Sequence, residues 1–130
     1  MTFGKVLNFA KGFLSDKLAT PTIHLMKITY WITTVLVCLA LGFGGFQDLT
    51  HSKDVMEGMS HLGYPPYLAT ILGVFKLLGT VVLLAPFFKR AKEWAYAGAA
   101  IDFIGAAASH ASVGDPAQYV ATPLVLLVLL

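Results

Sequence analysis

The sequence predicts an all-α, membrane-embedded four-helix bundle, with a fourth helix that looks truncated and an N-terminal interfacial amphipathic helix. Hydrophobic residues make up 57% of the 130 residues and charged residues only 12%. A soluble domain has about 25% charged residues, so about half of the expected charge is missing. The charged residues also avoid several long apolar runs, which are the second sign of membrane-spanning helices.

The first segment, residues 1–26, is predicted to lie on the cytoplasmic interface. Its lysines are spread along the segment, whereas a signal peptide has its charge ahead of an unbroken apolar stretch. Its apolar residues recur at helical spacing and form one stripe. They are Phe3, Val6, Leu7, Ala10, Phe13, Leu14 and Leu18. This pattern favours a helix lying in the membrane interface, and packing against a partner protein is the alternative.

The remaining residues, 27–130, are predicted to form the transmembrane bundle. A spanning helix needs about 20 mainly apolar residues, and the sequence offers runs at about 28–46, 67–88, 94–112 and 119–130. The last run is too short to cross a hydrocarbon core of about 30 Å. Either the natural chain continues beyond Leu130, which we expect, or the helix ends inside the bilayer. Val55, Met56 and Met59 also have helical spacing, which predicts a short helix over 53–62 on the outer face.

The charges between the spans predict the orientation. Positive residues dominate before the first span and in the loop 89–93, whereas Asp48, Asp54 and Glu57 outweigh Lys53 in the loop between the first two spans. By the positive-inside rule, the N-terminus and the loop 89–93 are cytoplasmic. With four spans, both termini are then on that side.

Two ionisable residues, Lys76 and Asp102, fall inside apolar runs. Each would cost about 2.5–3.5 kcal/mol at a helix centre, so each needs a partner or a function. Counted from the ends of their helices at 1.5 Å per residue, both lie within about 2–3 Å of the midplane. Because their helices are antiparallel neighbours joined by a short loop, we expect an ion pair.

Small residues share a helix face with each of these charges, which predicts a close approach of the two helices. On the second span these residues are Ala69, Gly73, Gly79 and Thr80, and on the third they are Ala95, Gly98, Ala99, Gly105, Ala106 and Ser109. His110 continues the face of Asp102 towards the outer surface, where Asp48, His51 and His61 also lie. Lys76, Asp102 and His110 are therefore the candidate cofactor-binding residues. The pair either fixes helix register or borders a pocket or proton path, and both roles can coexist.

Other chemistries have little support in the sequence. The one cysteine, Cys38, excludes an internal disulfide, and we interpret it as a packing residue. Haem needs axial ligands on opposed helices, and only His110 is near a span interior. His51, His61 and His110 could meet at the outer face, but we predict no metal site. The net charge of +2 is too small to indicate nucleic-acid binding. No catalytic motif is present, so we expect no catalysis by the chain alone.

Four segments together resemble the DoxX-like family over about residues 27–130. They are Tyr30–Thr34 (YWITT), His61–Tyr67 (HLGYPPY), Leu72–Gly79 (LGVFKLLG) and Lys92–Gly98 (KEWAYAG), the last continuing through Asp102, Gly105 and His110. The resemblance implies four transmembrane helices in a bacterial inner membrane, and the short fourth helix departs from that pattern. Relatives are associated with a thiosulfate–quinone oxidoreductase, with membrane redox complexes and with receptor assembly. No catalytic residue is implied.

Two functions follow as expectations. The first is a non-catalytic subunit or assembly factor of a larger membrane complex, with the bilayer and other membrane subunits or further copies as partners. The second is a quinone- or lipid-binding protein that supports redox chemistry, with a site beside Lys76 and Asp102. Transport is the least favoured function, because four short helices without a broken span make a poor alternating-access device.

Overall fold

The computed structural model describes residues 2–130 and consists of five α-helices joined by short turns. They are α1 (Thr2–Leu49), α2 (Lys53–His61), α3 (Pro66–Leu84), α4 (Lys89–Ser112) and α5 (Ala117–Leu129). The predicted all-α fold is confirmed. The predicted short helix over 53–62 is present as α2, and the four predicted apolar runs correspond to parts of α1, α3, α4 and α5.

The first helix runs without a break for 48 residues, past Pro21. Proline lacks the N–H that would bond to the preceding turn, and the threonines on either side bond to carbonyls of that turn. The Thr20 hydroxyl donates to the Asp16 carbonyl at 2.6 Å, and the Thr22 hydroxyl donates to the Leu18 carbonyl at 2.9 Å. The predicted interfacial segment and first span are therefore parts of one helix.

The chain divides into two compact units, residues 1–32 and 33–130. In the first unit almost every described side chain is exposed, including the large apolar Phe3, Phe9 and Leu18. The second unit contains the buried core and both cavities described below.

The core of the second unit lies where α1, α3, α4 and α5 meet. Its buried members are Val37, Cys38, Leu41, Leu83, Ala99 and Phe103, and apolar residues of α4 and α5 pack against them. The buried positions of α1 are Thr34, Val37, Cys38, Leu41, Gly45 and Asp48. Their spacing of three and four residues is that of a single helix face, so one side of α1 faces the core down to its last turn.

Local sequence signals end the helices. Ser52 caps α2, since its hydroxyl accepts a hydrogen bond from the Val55 N–H at 3.4 Å. Gly63 follows α2 with a φ of +78°, a conformation that glycine adopts without strain. The third helix ends at Leu84, four residues before the predicted end of the second span at 88, because the residue before Pro86 is extended (ψ 126°).

The outer surface of the bundle is apolar. Phe75, Ile101 and Val128 are 68%, 71% and 86% exposed, as expected of side chains that face lipid. Among the described residues, α1 and α3 are long and apolar enough to cross a membrane, and α5 is apolar but has only 13 residues. The crossing of all four predicted spans stays a prediction.

Candidate functional site

Lys76 lies between two carboxylates, one from α1 and one from α4. Its Nζ is 2.9 Å from Oδ2 of Asp48 and 3.6 Å from Oδ2 of Asp102. The side chains of Asp48, Lys76 and Asp102 are 7%, 21% and 18% exposed, so the cluster is largely buried. The ion pair expected between Lys76 and Asp102 is present, but the shorter contact is with Asp48, which was predicted to lie in the outer loop.

The assignment of Asp48 to an outer loop is wrong. It lies in the last turn of α1 and is 5% exposed, because the buried face of α1 continues one turn beyond Gly45. The carbonyl end of a helix carries partial negative charge, which adds to that of the carboxylate. A cation is therefore needed at this position, and Lys76 supplies it.

A close crossing of α1 and α3 brings Asp48 to Lys76. A side-chain carbon at Gly45 would lie 2.9 Å from Cβ of Lys76, and one at Gly73 would lie 2.9 Å from the Gly45 carbonyl oxygen and the Leu49 amide nitrogen. No residue larger than glycine fits between the two backbones without displacing one of them. Gly45 and Gly73 thus fix the distance between the helices and with it the Asp48–Lys76 contact.

Three of the glycines that the sequence placed between the second and third spans are not at a tight contact, and the tightest glycine contacts lie between α1 and α3. Side-chain carbons placed at Gly79, Gly98 or Gly105 would meet no atom within 4 Å. Gly79 and Gly98 border a cavity between α3 and α4 rather than a tight contact. At these positions the small residues leave space instead of bringing backbones together.

This cavity, which we call the α3–α4 cavity, has a volume of about 610 Å³. It is lined by apolar side chains including Leu72, Phe75 and Trp94, and its charged lining residues are Lys76 and Asp102. Sites for small molecules have volumes of about 300–1,000 Å³, with mostly apolar walls and a few polar groups that orient the ligand. The α3–α4 cavity has these properties.

A second cavity lies on the other side of the same ion pair. It has a volume of about 420 Å³ and is bordered by α1, α3, α4 and α5. Its lining includes Lys76, Asp102, His110, Tyr119 and Thr122, so we call it the His110 cavity. The three candidate residues from the sequence therefore border one cavity, with Lys76 and Asp102 shared between the two.

His110 itself is part of a separate polar cluster at the end of the bundle. Its Nδ1 is 2.6 Å from Oδ2 of Asp115, and Nε2 of His61 is 2.7 Å from Oδ1 of the same carboxylate. These two hydrogen bonds, first that of His110 and then that of His61, hold the pKa of Asp115 below its ordinary value of 3.8. The cluster joins α2 to the turn between α4 and α5.

The third outer histidine is not part of this cluster. His51 Nε2 is instead 2.8 Å from the hydroxyl of Thr70 in α3. Tyr64, which follows α2, contacts α4 at Ser109. The Ser109 hydroxyl donates to the Gly105 carbonyl at 2.7 Å and accepts from the Tyr64 hydroxyl at 2.7 Å. Within residues 2–130, no group of three or more His, Cys, Asp or Glu residues could hold a metal ion.

Comparison with known proteins identifies the family. A search of curated proteins finds no match, and neither does a search of solved structures. The family model described as the DoxX-like family matches residues 32–130, which includes the whole second unit and every residue of the two cavities. The family and the apolar helices together indicate a small membrane protein, and the chain belongs to the DoxX-like family.

Proposed function

We propose that the protein binds a neutral, membrane-soluble amphiphile such as a quinone in the α3–α4 cavity. The observation that carries this proposal is the cavity itself, whose walls are apolar and whose charged residues, Lys76 and Asp102, lie together. The apolar tail would lie along Phe75 and Trp94, and the polar head would reach the ion pair. An ammonium group has three N–H donors, so a ligand carbonyl adds an acceptor to the two carboxylates.

The charge of the site favours a neutral head over an anionic one. Asp48 and Asp102 contribute two negative charges against the single positive charge of Lys76. A fatty acid would add a further carboxylate to a largely buried site of net negative charge, which is costly in a medium of low dielectric constant. A quinone carbonyl accepts a hydrogen bond from Lys76 without adding charge.

Tryptophan fluorescence offers a direct test, because Trp94 lines the cavity and quinones quench indole emission. Trp31, the only other tryptophan, is first replaced by Phe so that Trp94 alone reports. The protein in lipid nanodiscs is titrated with a decyl-substituted benzoquinone. We expect saturable quenching that Gly79→Leu abolishes by filling the cavity and that Lys76→Gln weakens.

Two comparisons make the test specific. Asp115→Asn changes a carboxylate outside the α3–α4 cavity and should leave the quenching curve unchanged. Decanoic acid, an anionic amphiphile, should compete poorly with the quinone. Quenching that rises linearly with quinone and is equal in all variants would reflect collisions in the lipid, and it would exclude the proposed site.

A second proposed function is that of a non-catalytic subunit of a larger membrane complex. An observation in the first unit supports it. Large apolar side chains of residues 2–32 are exposed, among them Phe3 at 76% and Leu14 at 57%. On this proposal the apolar stripe that contains Leu14 packs against another membrane protein rather than against lipid.

Native mass spectrometry after gentle extraction tests this second function. A complex of fixed stoichiometry should be found, and Leu14→Lys should dissociate it, whereas Ser15→Lys, one residue away on the polar side of the helix, should leave it intact. A protein that is monomeric or forms only homo-oligomers would exclude the heteromeric subunit. Equal effects of both substitutions would exclude the stripe as its interface.

For localisation, we propose a multi-pass protein of a bacterial inner membrane with a cytoplasmic N-terminus. The support is the distribution of charge, with Lys89, Arg90 and Lys92 at the start of α4, against the acidic residues of α2 and Asp115 at the opposite ends of α3 and α4.

A further inference from the structure

The His110 cavity differs in chemistry from the α3–α4 cavity. The α3–α4 cavity is bordered by exposed apolar side chains such as Phe75 and Ile101. The His110 cavity also has apolar lining residues, but histidine, tyrosine and threonine side chains stand among them in addition to the ion pair. A cavity of about 420 Å³ has room for several waters, since one water takes about 30 Å³ of liquid volume. Its polar groups supply the hydrogen bonds that such waters need.

The polar lining continues to the end of the bundle. His110 lies in the last turn of α4, with its ring stacked on that of Tyr119 at 5.6 Å between centroids. The same histidine bonds to Asp115, which bonds to the half-exposed His61. Titratable groups therefore follow one another from the surface at His61 and Asp115 to His110 at the cavity wall. At the inner end of the cavity is Asp102, whose charged neighbours are Lys76 and Asp48.

We infer that the His110 cavity is a water-filled vestibule that connects the surface at Asp115 to the Lys76–Asp102 pair. The pair then lies between an aqueous cavity on one side and an apolar, lipid-facing cavity on the other. Protons from the aqueous phase reach Asp102 through this vestibule without crossing the lipid-facing surface. The inference does not depend on what occupies the α3–α4 cavity.

Cysteine accessibility tests the vestibule. Cys38, the only cysteine, is buried and is replaced by Ala to give a cysteine-free background. Ala106→Cys and Thr122→Cys then place thiols in the wall of the His110 cavity from α4 and from α5. A charged methanethiosulfonate reagent reacts only with thiolates in contact with water. Initial rates of modification are measured in nanodiscs, where both membrane faces are open.

Matched controls distinguish water access through the cavity from closeness to the membrane surface. Ala108 and Ala121 are exposed neighbours nearer the end of the bundle, so a gradient of depth alone would make their cysteine variants faster. We expect the reverse, with Ala106→Cys about tenfold or more faster than Ala108→Cys, and Thr122→Cys likewise faster than Ala121→Cys, because the charged reagent is excluded from lipid. If a variant of α4 does not fold, the comparison of Thr122→Cys with Ala121→Cys on α5 still tests the inference.

A third substitution tests whether the water path reaches the ion pair. Asp102→Cys leaves Lys76 with Asp48 as its partner, and we expect the new thiol to react with the charged reagent at a rate close to that of Ala106→Cys. Cavity cysteines no faster than Ala108→Cys and Ala121→Cys would show a dry cavity and overturn the inference. Reactive Ala106→Cys with unreactive Asp102→Cys would overturn the connection to the pair.

Discussion

At the residue scale, Lys76 is the single cation of a buried cluster with two carboxylates. Its ammonium contacts Asp48 and Asp102 at 2.9 and 3.6 Å. A buried charge that loses its partner costs far more than the intact pair contributes. The three residues are therefore unequal, because each aspartate can be lost with a pair remaining, whereas loss of the lysine leaves two carboxylates unpaired.

Lys76→Met should lower the free energy of unfolding by about 3–5 kcal/mol, measured by denaturant titration in one detergent. Asp102→Asn should cost less, since the Lys76–Asp48 contact remains. Lys53→Met is the control, because its pair with Glu57 is 86% and 68% exposed and should be worth no more than about 1 kcal/mol. Adding Asp48→Asn and Asp102→Asn to Lys76→Met should recover most of the loss. If the triple variant is no more stable than Lys76→Met, the unpaired carboxylates are not the cause of the lost stability.

Asp48 was predictable in principle. The face formed by Thr34, Cys38, Gly42 and Gly45 has the spacing of a helix, and its next turn contains Asp48. Its placement in a loop followed from ending the helix where the apolar run ends. Lys76 and Asp102 were found because an isolated charge within an apolar run is costly wherever the run packs. The partners of Asp115 could not be found in this way, because they depend on how the turns meet.

Asp115 makes the stability of the protein depend on pH in the acid range. Because His110 and His61 hold its folded-state pKa below the ordinary 3.8, the folded state binds fewer protons than the unfolded state in this range. The stabilisation is present above the unfolded-state pKa and is lost as the pH falls through the lower folded-state value. Asp115→Asn removes this contribution.

We therefore expect the thermal midpoint of the wild type to exceed that of Asp115→Asn at pH 6 and to approach it as the pH is lowered below about 4. Differential scanning fluorimetry across pH 3–6 measures both curves. Glu57→Gln is the control, since its ion pair is exposed and should leave the curve close to that of the wild type. A gap between wild type and Asp115→Asn that stays constant over this range would contradict the pKa argument.

At the element scale, two glycines of α3 have opposite surroundings. A methyl group at Gly73 would lie 2.9 Å from backbone atoms of α1, whereas one at Gly79 would meet nothing within 4 Å. Alanine is favoured over glycine inside a helix by about 0.8–1.0 kcal/mol, and this gain applies to both positions. The difference between the effects of Gly73→Ala and Gly79→Ala on the free energy of unfolding therefore gives the cost of moving α1 away from α3.

Gly73→Ala should destabilise the protein and Gly79→Ala should be neutral or stabilising, as measured by unfolding in the same detergent. The cost at Gly73 has two parts, since displacing α1 also lengthens the Asp48–Lys76 contact. Combining Gly73→Ala with Asp48→Asn should consequently cost less than the sum of the two single changes. Equal effects of Gly73→Ala and Gly79→Ala would mean that the crossing of α1 and α3 is not as close as the structure shows.

The helices themselves follow from the sequence to different degrees. The positions of α2 and α3 were predictable, because Ser52, Gly63 and the prolines at 65 and 66 are strong local signals. The continuity of α1 was not. Pro21 and the change from an amphipathic pattern to an apolar one suggest two elements, yet α1 continues through both.

At the scale of the whole molecule, the cavities could not be read from the sequence. The small residues of α3 and α4 predicted a close approach, but glycine also permits an open space. Which of these occurs at Gly79 and Gly98 depends on where the rest of the bundle holds the helices apart. The whole bundle therefore determines that Lys76 and Asp102 border two cavities.

Orientation in the membrane is the remaining property of the whole molecule, and labelling of single cysteines in the Cys38→Ala background tests it. Lys53→Cys and Lys89→Cys each replace an exposed lysine, at the two ends of the segment that contains α3. We expect an impermeant maleimide to label Lys53→Cys in intact cells and Lys89→Cys only after permeabilisation. Ala117→Cys, beyond α4, should behave like Lys53→Cys if α4 also crosses. Labelling of Lys89→Cys alone would invert the orientation, and equal labelling of Lys53→Cys and Lys89→Cys would show that α3 does not span.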